Sequence, residues 1–257
     1  KIPLVTFDFE KEYKKQVIEP MFKAYAKGLT PNPDIQCNQI IKFPLFWKYA
    51  KNKLKADYIA MGHYARISKT KNGFSLLAGK DKTKDQSYFV YRLSQEELSH
   101  TLFPIGSYTK EQVRQIAKQN YFPNADKPGT KGICFVGKVN MKSFLEKQIR
   151  SKQGAVLNPE GKPIGVHPGA SYFTIGQRIG PHLGICIEKP KGSEQQKWYI
   201  AEKQKNNILI AAPENHPLLK KKSVILKSLH LINPKEKIPS QLKARIRHLG
   251  QFHPGKL

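Results

Sequence analysis

A chain of 257 residues that is 39% hydrophobic and 10% aromatic can bury at least one full core and reads as a globular protein of one large or two to three small domains. Lys and Arg number 45 against 19 Asp and Glu, and a net charge of +26 calls for a polyanionic partner, nucleic acid first, although a Lys-rich genome would leave the same trace. No run reaches the roughly 18 apolar residues of a membrane span, no leader-like stretch stands at the start, and three cysteines without regular spacing exclude a secreted disulfide scaffold, so the expectation is a soluble, cytoplasmic protein with reduced thiols and no membrane partner.

The chain opens on Lys1, not Met, and residues 2–9 alternate like a strand, which reads as an amputated start. Tyr13, Val17, Met21 and Tyr25 recur every fourth residue ahead of Gly28, predicting an amphipathic helix with an irregularity at Pro20. A loop from Thr30 to Cys37 follows, stiffened by Pro31 and Pro33; Ile40, Ile41, Phe43, Phe46, Trp47 and Ala50 then mark a second helix. Residues 58–61 read as a short buried strand ending at Gly62-His63, and Asn72-Gly73 reads as the turn of a hairpin. Two capping boxes, Ser94 with Glu97 and Thr109 with Gln112, mark helix starts.

From about Gly154 strand-like pieces dominate, at 198–201, 208–210 and 224–226. Boundaries fall near Lys138 and Lys205, giving an α/β part over 1–138, a central part over 139–205 and a final part over 206–257. Residues 242–248 alternate like a strand with no sheet partner expected after them, so the chain reads as cut at both ends.

Two segments carry candidate chemistry. Residues 28–38 place Asp34 and Cys37 in a stretch whose prolines limit the entropy of the unfolded chain, as a preorganised site would; on spacing alone an ordinary stiffened connection with a half-buried cysteine is the more common outcome. Residues 129–137 set Cys134 among Gly129, Gly132 and Gly137, with Lys127 and Lys131 near enough in sequence to favour a thiolate; a buried strand with glycine turns is the alternative. No CxxC pair supports a zinc or iron–sulfur site, and no resident metal is expected.

Several longer motifs then fall in order along the chain: Thr30-Pro31-Asn32-Pro33-Asp34 and Cys37-Asn38 within residues 28–43, Gly62-His63-Tyr64, Lys84-Asp85-Gln86-Ser87-Tyr88-Phe89, Phe103-Pro104-Ile105-Gly106, Gly132-Ile133-Cys134-Phe135, and Thr174-Ile175-Gly176-Gln177-Arg178. On these residues the chain resembles the bacterial tRNA-specific 2-thiouridylase family, also found in mitochondria. The resemblance implies a Rossmann-type α/β catalytic domain of the PP-loop (adenine nucleotide alpha hydrolase-like) kind over 1–138, a central tRNA-binding domain over 139–205 and an incomplete C-terminal β-barrel over 206–257. It further implies ATP, with Mg2+, to adenylate the C2 oxygen of a wobble uridine, and sulfur transfer to give 2-thiouridine. Its partners would be a tRNA of the Lys, Glu or Gln type and a sulfur-relay donor protein.

Carried over by motif, Cys134 is implied to be the persulfide carrier, Cys37 the second thiol that closes a transient disulfide on it, and Asp34 the acid/base group. Asn32, Pro33 and Asp34 are implied to meet the target base, Gly62 to line the ATP site, and His63, Lys84, Asp85, Gln86, Arg245 and Ile246 to touch tRNA. Since the thiols are far apart in sequence, at least one is expected on a segment that moves during turnover. The chain departs from the family pattern in three ways. It lacks a Ser-Gly-Gly-x-Asp-Ser phosphate loop, has Lys131 in an ordinarily acidic stretch, and has Ile246 where an aromatic is common. The first departure implies that this chain alone does not adenylate uridine; a non-catalytic tRNA-binding remnant is the alternative. Cys186 has no implied role and reads as a small apolar residue.

Overall fold

The computed structural model describes residues 2–129, 132–137, 139–187 and 196–257; Lys131 and the boundary residue Lys138 lie outside them. They form two compact units: one of Lys1–Val17, Pro33–Phe135 and Ser228–Leu257, the other of Ile18–Asn32 and Val136–Lys227.

The first unit is organised by one continuous helical run. It starts at Pro33, which a helix tolerates in its first turn because the missing N–H would have no partner there. Thus only the first part of the expected 30–37 loop is loop, and Pro33–Cys37 is already helix. The run continues as a π-helix over Asn38–Leu45, which accommodates Pro44 in its interior, and as an α-helix over Phe46–Leu54. Lys55 ends it in the left-handed region at φ 55°. Phe43, Trp47 and Ala50 pack with Ile59, Ala65, Val90, Leu93 and Leu98 as one core.

Strand Ile59–Ala60 pairs in parallel with Thr101–Leu102. Strands Ala65–Thr70 and Gly73–Ala78 form the expected hairpin, but Thr70 pairs with Gly73, so the turn is Lys71-Asn72 and positive φ falls on Gly73 alone. Gly106 admits no side chain, since a Cβ there would stand 1.7 Å from the Ala65 carbonyl oxygen. Both capping boxes form, at Gln95–Ser99 and Lys110–Gln119. Ser94→Ala removes the first of them and is expected to cost about 1 kcal/mol, read as a lower urea midpoint at unchanged slope.

Three sequence readings are corrected. Residues 2–9 pair with no strand among those described, and Ile2 and Leu4 are almost fully exposed; alternation makes a strand only where a neighbour accepts its ladder bonds. Residues 224–226 are likewise exposed and unpaired, because no adjacent sheet buries their apolar side chains. Conversely, Gln241–Ala244 does find a partner after it, the antiparallel strand His253–Lys256.

In the second unit five strands run in the order Cys186–Ile187, Pro163–His167, Gly154–Leu157, Ile208–Pro213, Trp198–Gln204. Val156, Phe173, Ile185, Ile200 and Leu209 are its core. The motif beginning at Thr174 is a turn stitched to this sheet, with the Gly176 amide donating to the Ile200 carbonyl at 2.7 Å. Helix Glu19–Ala26 buries Met21, Phe22 and Tyr25, and Gly28 stops the chain behind it at φ 76°. The four-residue stripe drifts on an ideal helix; the π-helical stretch Lys14–Ile18 just before Pro20 takes up that drift.

Candidate active site

Cys37 and Cys134, 97 positions apart, stand with their sulfurs 3.5 Å apart as free thiols in the first unit. A disulfide is about 2.05 Å long, so a small approach would close one. Sequence reasoning expects a segment to move before the thiols meet; here they are already neighbours. Cys37 is wholly buried on the helix that Pro33 opens, whereas Cys134 is partly exposed. The stretch around Cys134 is a series of turns and not a strand, with positive φ at Gly132, Phe135 and Gly137.

Two side chains hold Cys134. The Asp34 carboxylate accepts its backbone N–H at 3.0 Å. The Tyr13 hydroxyl donates to its carbonyl oxygen, and the Tyr13 ring meets Phe135 edge-on with centroids 5.6 Å apart. The Lys42 ammonium stands 5.8 Å from the centre of the Phe135 ring, and its charge lowers the Cys134 thiol.

The two thiols are electrostatically unequal. The hydrogen bond to Cys134, burial and the Cys134 charge push the Cys37 thiol far up, so it stays protonated. The bond donated by Cys37 and the Lys42 cation bring Cys134 down to about 6 against the opposing effects of burial and Asp34. Cys134 is therefore the thiolate of the pair at neutral pH. Among the described residues a cation that acts on Cys134 is Lys42, which sequence proximity did not single out; Lys127 is exposed, and Lys131 lies outside the described residues.

Asp85 and Arg245 form a second polar centre of the same unit. Arg245 Nη2 lies 2.7 Å from Asp85 Oδ2, and both side chains are mostly buried. Asp85 also accepts from the Gly79 amide, the Ser87 amide and the Ser87 hydroxyl. The Arg245 guanidinium lies 5.7 Å from the Tyr88 ring centre and 5.1 Å from that of Phe252. Around it opens a cleft of about 470 Å³, lined by Ile35, Tyr88, Tyr91, Lys243, Arg245 and Phe252 among others. Its lining joins the helix of Asp34 and Cys37 to aromatic and cationic side chains, but includes neither thiol.

The family described as tRNA methyl transferase HUP domain matches residues 1–138, and that described as tRNA methyl transferase PRC-barrel domain matches residues 142–212. Three proteins named tRNA-specific 2-thiouridylase MnmA are similar over nearly the whole chain. That of Vibrio cholerae serotype O1 is 44% identical over 236 residues, covering 90% of this chain and 62% of the relative. That of Aliarcobacter butzleri, named MnmA 2, is 41% identical over 95% of this chain and 67% of its own length, and that of Blochmanniella floridana 42% over 96% and 67%. The chain belongs to the tRNA-specific 2-thiouridylase family. It spans about 62% of the length of the Vibrio cholerae relative. Its fold is accordingly a HUP domain of the PP-loop type followed by a PRC-barrel-like domain, the latter match covering most of the five-stranded sheet.

Placed against the residues that family resemblance singles out, the first unit gathers Asp34, Cys37 and Cys134 at one point. Asn32, Pro33 and Asp34 are half-buried. Gly62 is exposed just beyond strand Ile59–Ala60, and a Cβ built on it would meet nothing within 4 Å. His63 is buried beside Phe43 and Phe103; burial, then the Lys42 charge, lowers its pKa to about 4, so it is neutral. Lys84 is exposed, while Gln86 exchanges two hydrogen bonds with the Tyr64 backbone. Ile246 is exposed and its carbonyl accepts from Tyr88. Among the described residues no group of three or more His, Cys, Asp or Glu side chains is placed to hold a metal, and no helix is long and apolar enough to cross a membrane.

Tyr13 and Lys42 were missed by sequence reasoning. Tyr13 was counted only as part of an apolar stripe. Lys42 lies five residues after Cys37, the wrong side of an α-helix, but the π-helical stretch closes its turns through i to i+5 bonds and returns Lys42 to the face of Cys37. Pro44, two residues on, was the available signal for that irregularity.

Proposed function

We propose that the protein carrying this chain is a tRNA-uridine 2-sulfurtransferase of the cytoplasm, which moves sulfur from a persulfide on Cys134 to C2 of a wobble uridine in tRNAs of the Lys, Glu or Gln type. The observation that carries the reading is the unequal thiol pair at 3.5 Å: one thiolate to take up sulfur, one protonated thiol beside it to displace the sulfur later. Neither methyl transfer nor plain RNA binding needs that pair.

In this reading a sulfur-relay donor loads Cys134, and the outer sulfur of that persulfide attacks C2 of the uridine, forming the C–S bond as the bond from C2 to its activated oxygen breaks and that oxygen leaves with the activating group. When Cys37 loses its proton and attacks Cys134 Sγ, a Cys37–Cys134 bond forms as the bond from Cys134 Sγ to the outer sulfur breaks. The outer sulfur keeps the electron pair and remains with the nucleoside. A two-electron reductant then restores both thiols. Asp34, which holds the Cys134 amide, is proposed as the acid/base group and, with Asn32 and Pro33, as a contact to the base.

ATP, with Mg2+, fits the open backbone at Gly62, because ligands of α/β sheets sit beyond the carboxyl ends of parallel strands. When bound, it supplies the activation that lets a carbonyl oxygen leave. The positive charge of the chain and the Arg245 cleft, whose aromatic rings and cations suit stacked bases and phosphates, support tRNA contacts through His63, Lys84, Asp85, Gln86, Arg245 and Ile246. We assign residues 1–138 to catalysis, 139–205 to a central tRNA-binding domain and 206–257 to a C-terminal β-barrel domain.

The test is nucleoside mass spectrometry of tRNA from cells that lack their own 2-thiouridylase and express the whole protein that carries this chain. Restored 2-thiouridine is expected. Methylated uridine, or tRNA that binds but stays unmodified, would overturn the reading.

A further inference from the structure

We infer that Tyr13 is a positioning residue of the thiol pair: its hydroxyl on the Cys134 carbonyl and its ring against Phe135 hold Cys134 where its sulfur meets that of Cys37. The inference rests on the sulfur-transfer reading for its purpose, since Cys37 must reach Cys134 Sγ to release sulfur, but its physical content does not require tRNA.

Cys134 is anchored through both of its peptide groups. The Asp34 carboxylate, on helix Pro33–Cys37, accepts the Cys134 N–H at 3.0 Å and so fixes the peptide before Cys134. The carbonyl that Tyr13 holds belongs to the planar peptide joining Cys134 to Phe135, so that bond constrains ψ of Cys134 and φ of Phe135 together. With both planes held, the direction of the Cys134 side chain is set, and its Sγ stands 3.5 Å from Cys37 Sγ. Phe135 takes φ 63°, a region that a bulky residue enters only where its surroundings keep it there. Tyr13 supplies part of that hold, its ring meeting the Phe135 ring at an interplanar angle of 77°.

Tyr13 can serve as an anchor because it is itself held. Its side chain is buried, and its backbone N–H donates to the Phe9 carbonyl at 2.9 Å. Burial, then the neighbouring Cys37, Cys134 and Asp34 charges, keep the phenol protonated and therefore a donor. Three residues on, the Gln16 carbonyl accepts from the Gln36 side-chain amide at 3.2 Å, which ties the helical stretch of Tyr13 to the helix that carries Asp34 and Cys37. The Tyr13 hydroxyl bonds to backbone and not to a sulfur, so it acts by placement and takes no part in making or breaking bonds.

The test is the effective concentration of the thiol pair in the whole protein that carries this chain. The protein is equilibrated with mixtures of reduced and oxidised glutathione, and the fraction with a Cys37–Cys134 bond is read by peptide mass spectrometry after acid quenching. Closing that bond passes two electrons and two protons to oxidised glutathione, which leaves as two molecules of the reduced form. Tyr13→Phe keeps the ring and loses the hydroxyl, so the reduced pair wanders more and the effective concentration falls about fivefold, the worth of one hydrogen bond. Tyr13→Leu, which also frees Phe135, lowers it further. An unchanged effective concentration in Tyr13→Phe would overturn the assignment even if its urea midpoint fell, because a tyrosine that only stabilises the fold gives that result. Should Tyr13→Leu fail to fold, the nearly isosteric Tyr13→Phe decides. Failure of the tRNA assay with the fall in effective concentration intact would count against sulfur transfer and not against Tyr13.

Discussion

Cys134→Ser abolishes sulfur loading, and Cys37→Ser allows loading but strands the sulfur. Incubated with a small hydropersulfide, the wild-type protein is expected to gain the mass of one sulfur atom on Cys134. Cys134→Ser gains none there, because a hydroxyl stays protonated where a thiol with a lowered pKa ionises. Cys37→Ser gains the sulfur and keeps it, since the group that would attack Cys134 Sγ from 3.5 Å is gone. In the tRNA assay both variants fall by more than about a thousandfold, as expected when members of one catalytic unit are removed singly. Binding of tRNA changes little, because affinity resides in the many cations of a chain with net charge +26. Loading in the wild type rises with pH through the lowered Cys134 midpoint and is flat above it. Normal thiolation by either variant removes the catalytic assignment of that cysteine.

What the sequence disclosed about fold and site divides along the range of the forces involved. Capping boxes at Ser94 and Thr109 were readable because donor and acceptor lie three residues apart, and the stripe of Phe43, Trp47 and Ala50 because helical burial repeats locally. The strand partner of Gln241–Ala244 was not, since His253–Lys256 contains Pro254 and Gly255, which read as a turn. Residues 2–9 and 224–226 erred the other way, having strand composition but no paired neighbour. The cysteines were found through motifs, but Lys42 was hidden by an assumption about period: five residues is about 140° off on an α-helix and only a little over a full turn on a π-helix. Tyr13 needed the tertiary structure, because its hydroxyl acts on a carbonyl 121 positions away.

Breaking the Asp85–Arg245 pair is expected to destabilise the first unit strongly. Both groups are mostly withdrawn from water, so removing one leaves the other's charge buried at a cost of about 3–5 kcal/mol. Asp85→Asn is the more severe variant, because Arg245 Nη2 then faces an amide, whereas in Arg245→Met the carboxylate keeps the Gly79 and Ser87 donors. Their double mutant costs less than the sum of the singles, since neither charge remains unpaired. Acid reveals the same linkage. Burial alone would raise the Asp85 carboxyl, but the Gly79 amide, the Arg245 guanidinium and Ser87 outweigh it and hold it below the usual carboxylate range. A carboxyl lowered by folding stabilises fully above its unfolded pKa of about 3.9 and loses that contribution as pH falls through the folded value. The urea midpoints of wild type and Asp85→Asn should therefore differ constantly from neutral pH to about pH 5 and converge only in stronger acid. A gap that stays constant into strong acid would mean that Asp85 acts through packing and not through its charge. Because the Arg245 guanidinium also faces the Tyr88 and Phe252 rings at the cleft, the sulfur-transfer reading expects the same Arg245→Met variant to weaken tRNA binding, which a tRNA titration at fixed salt would register.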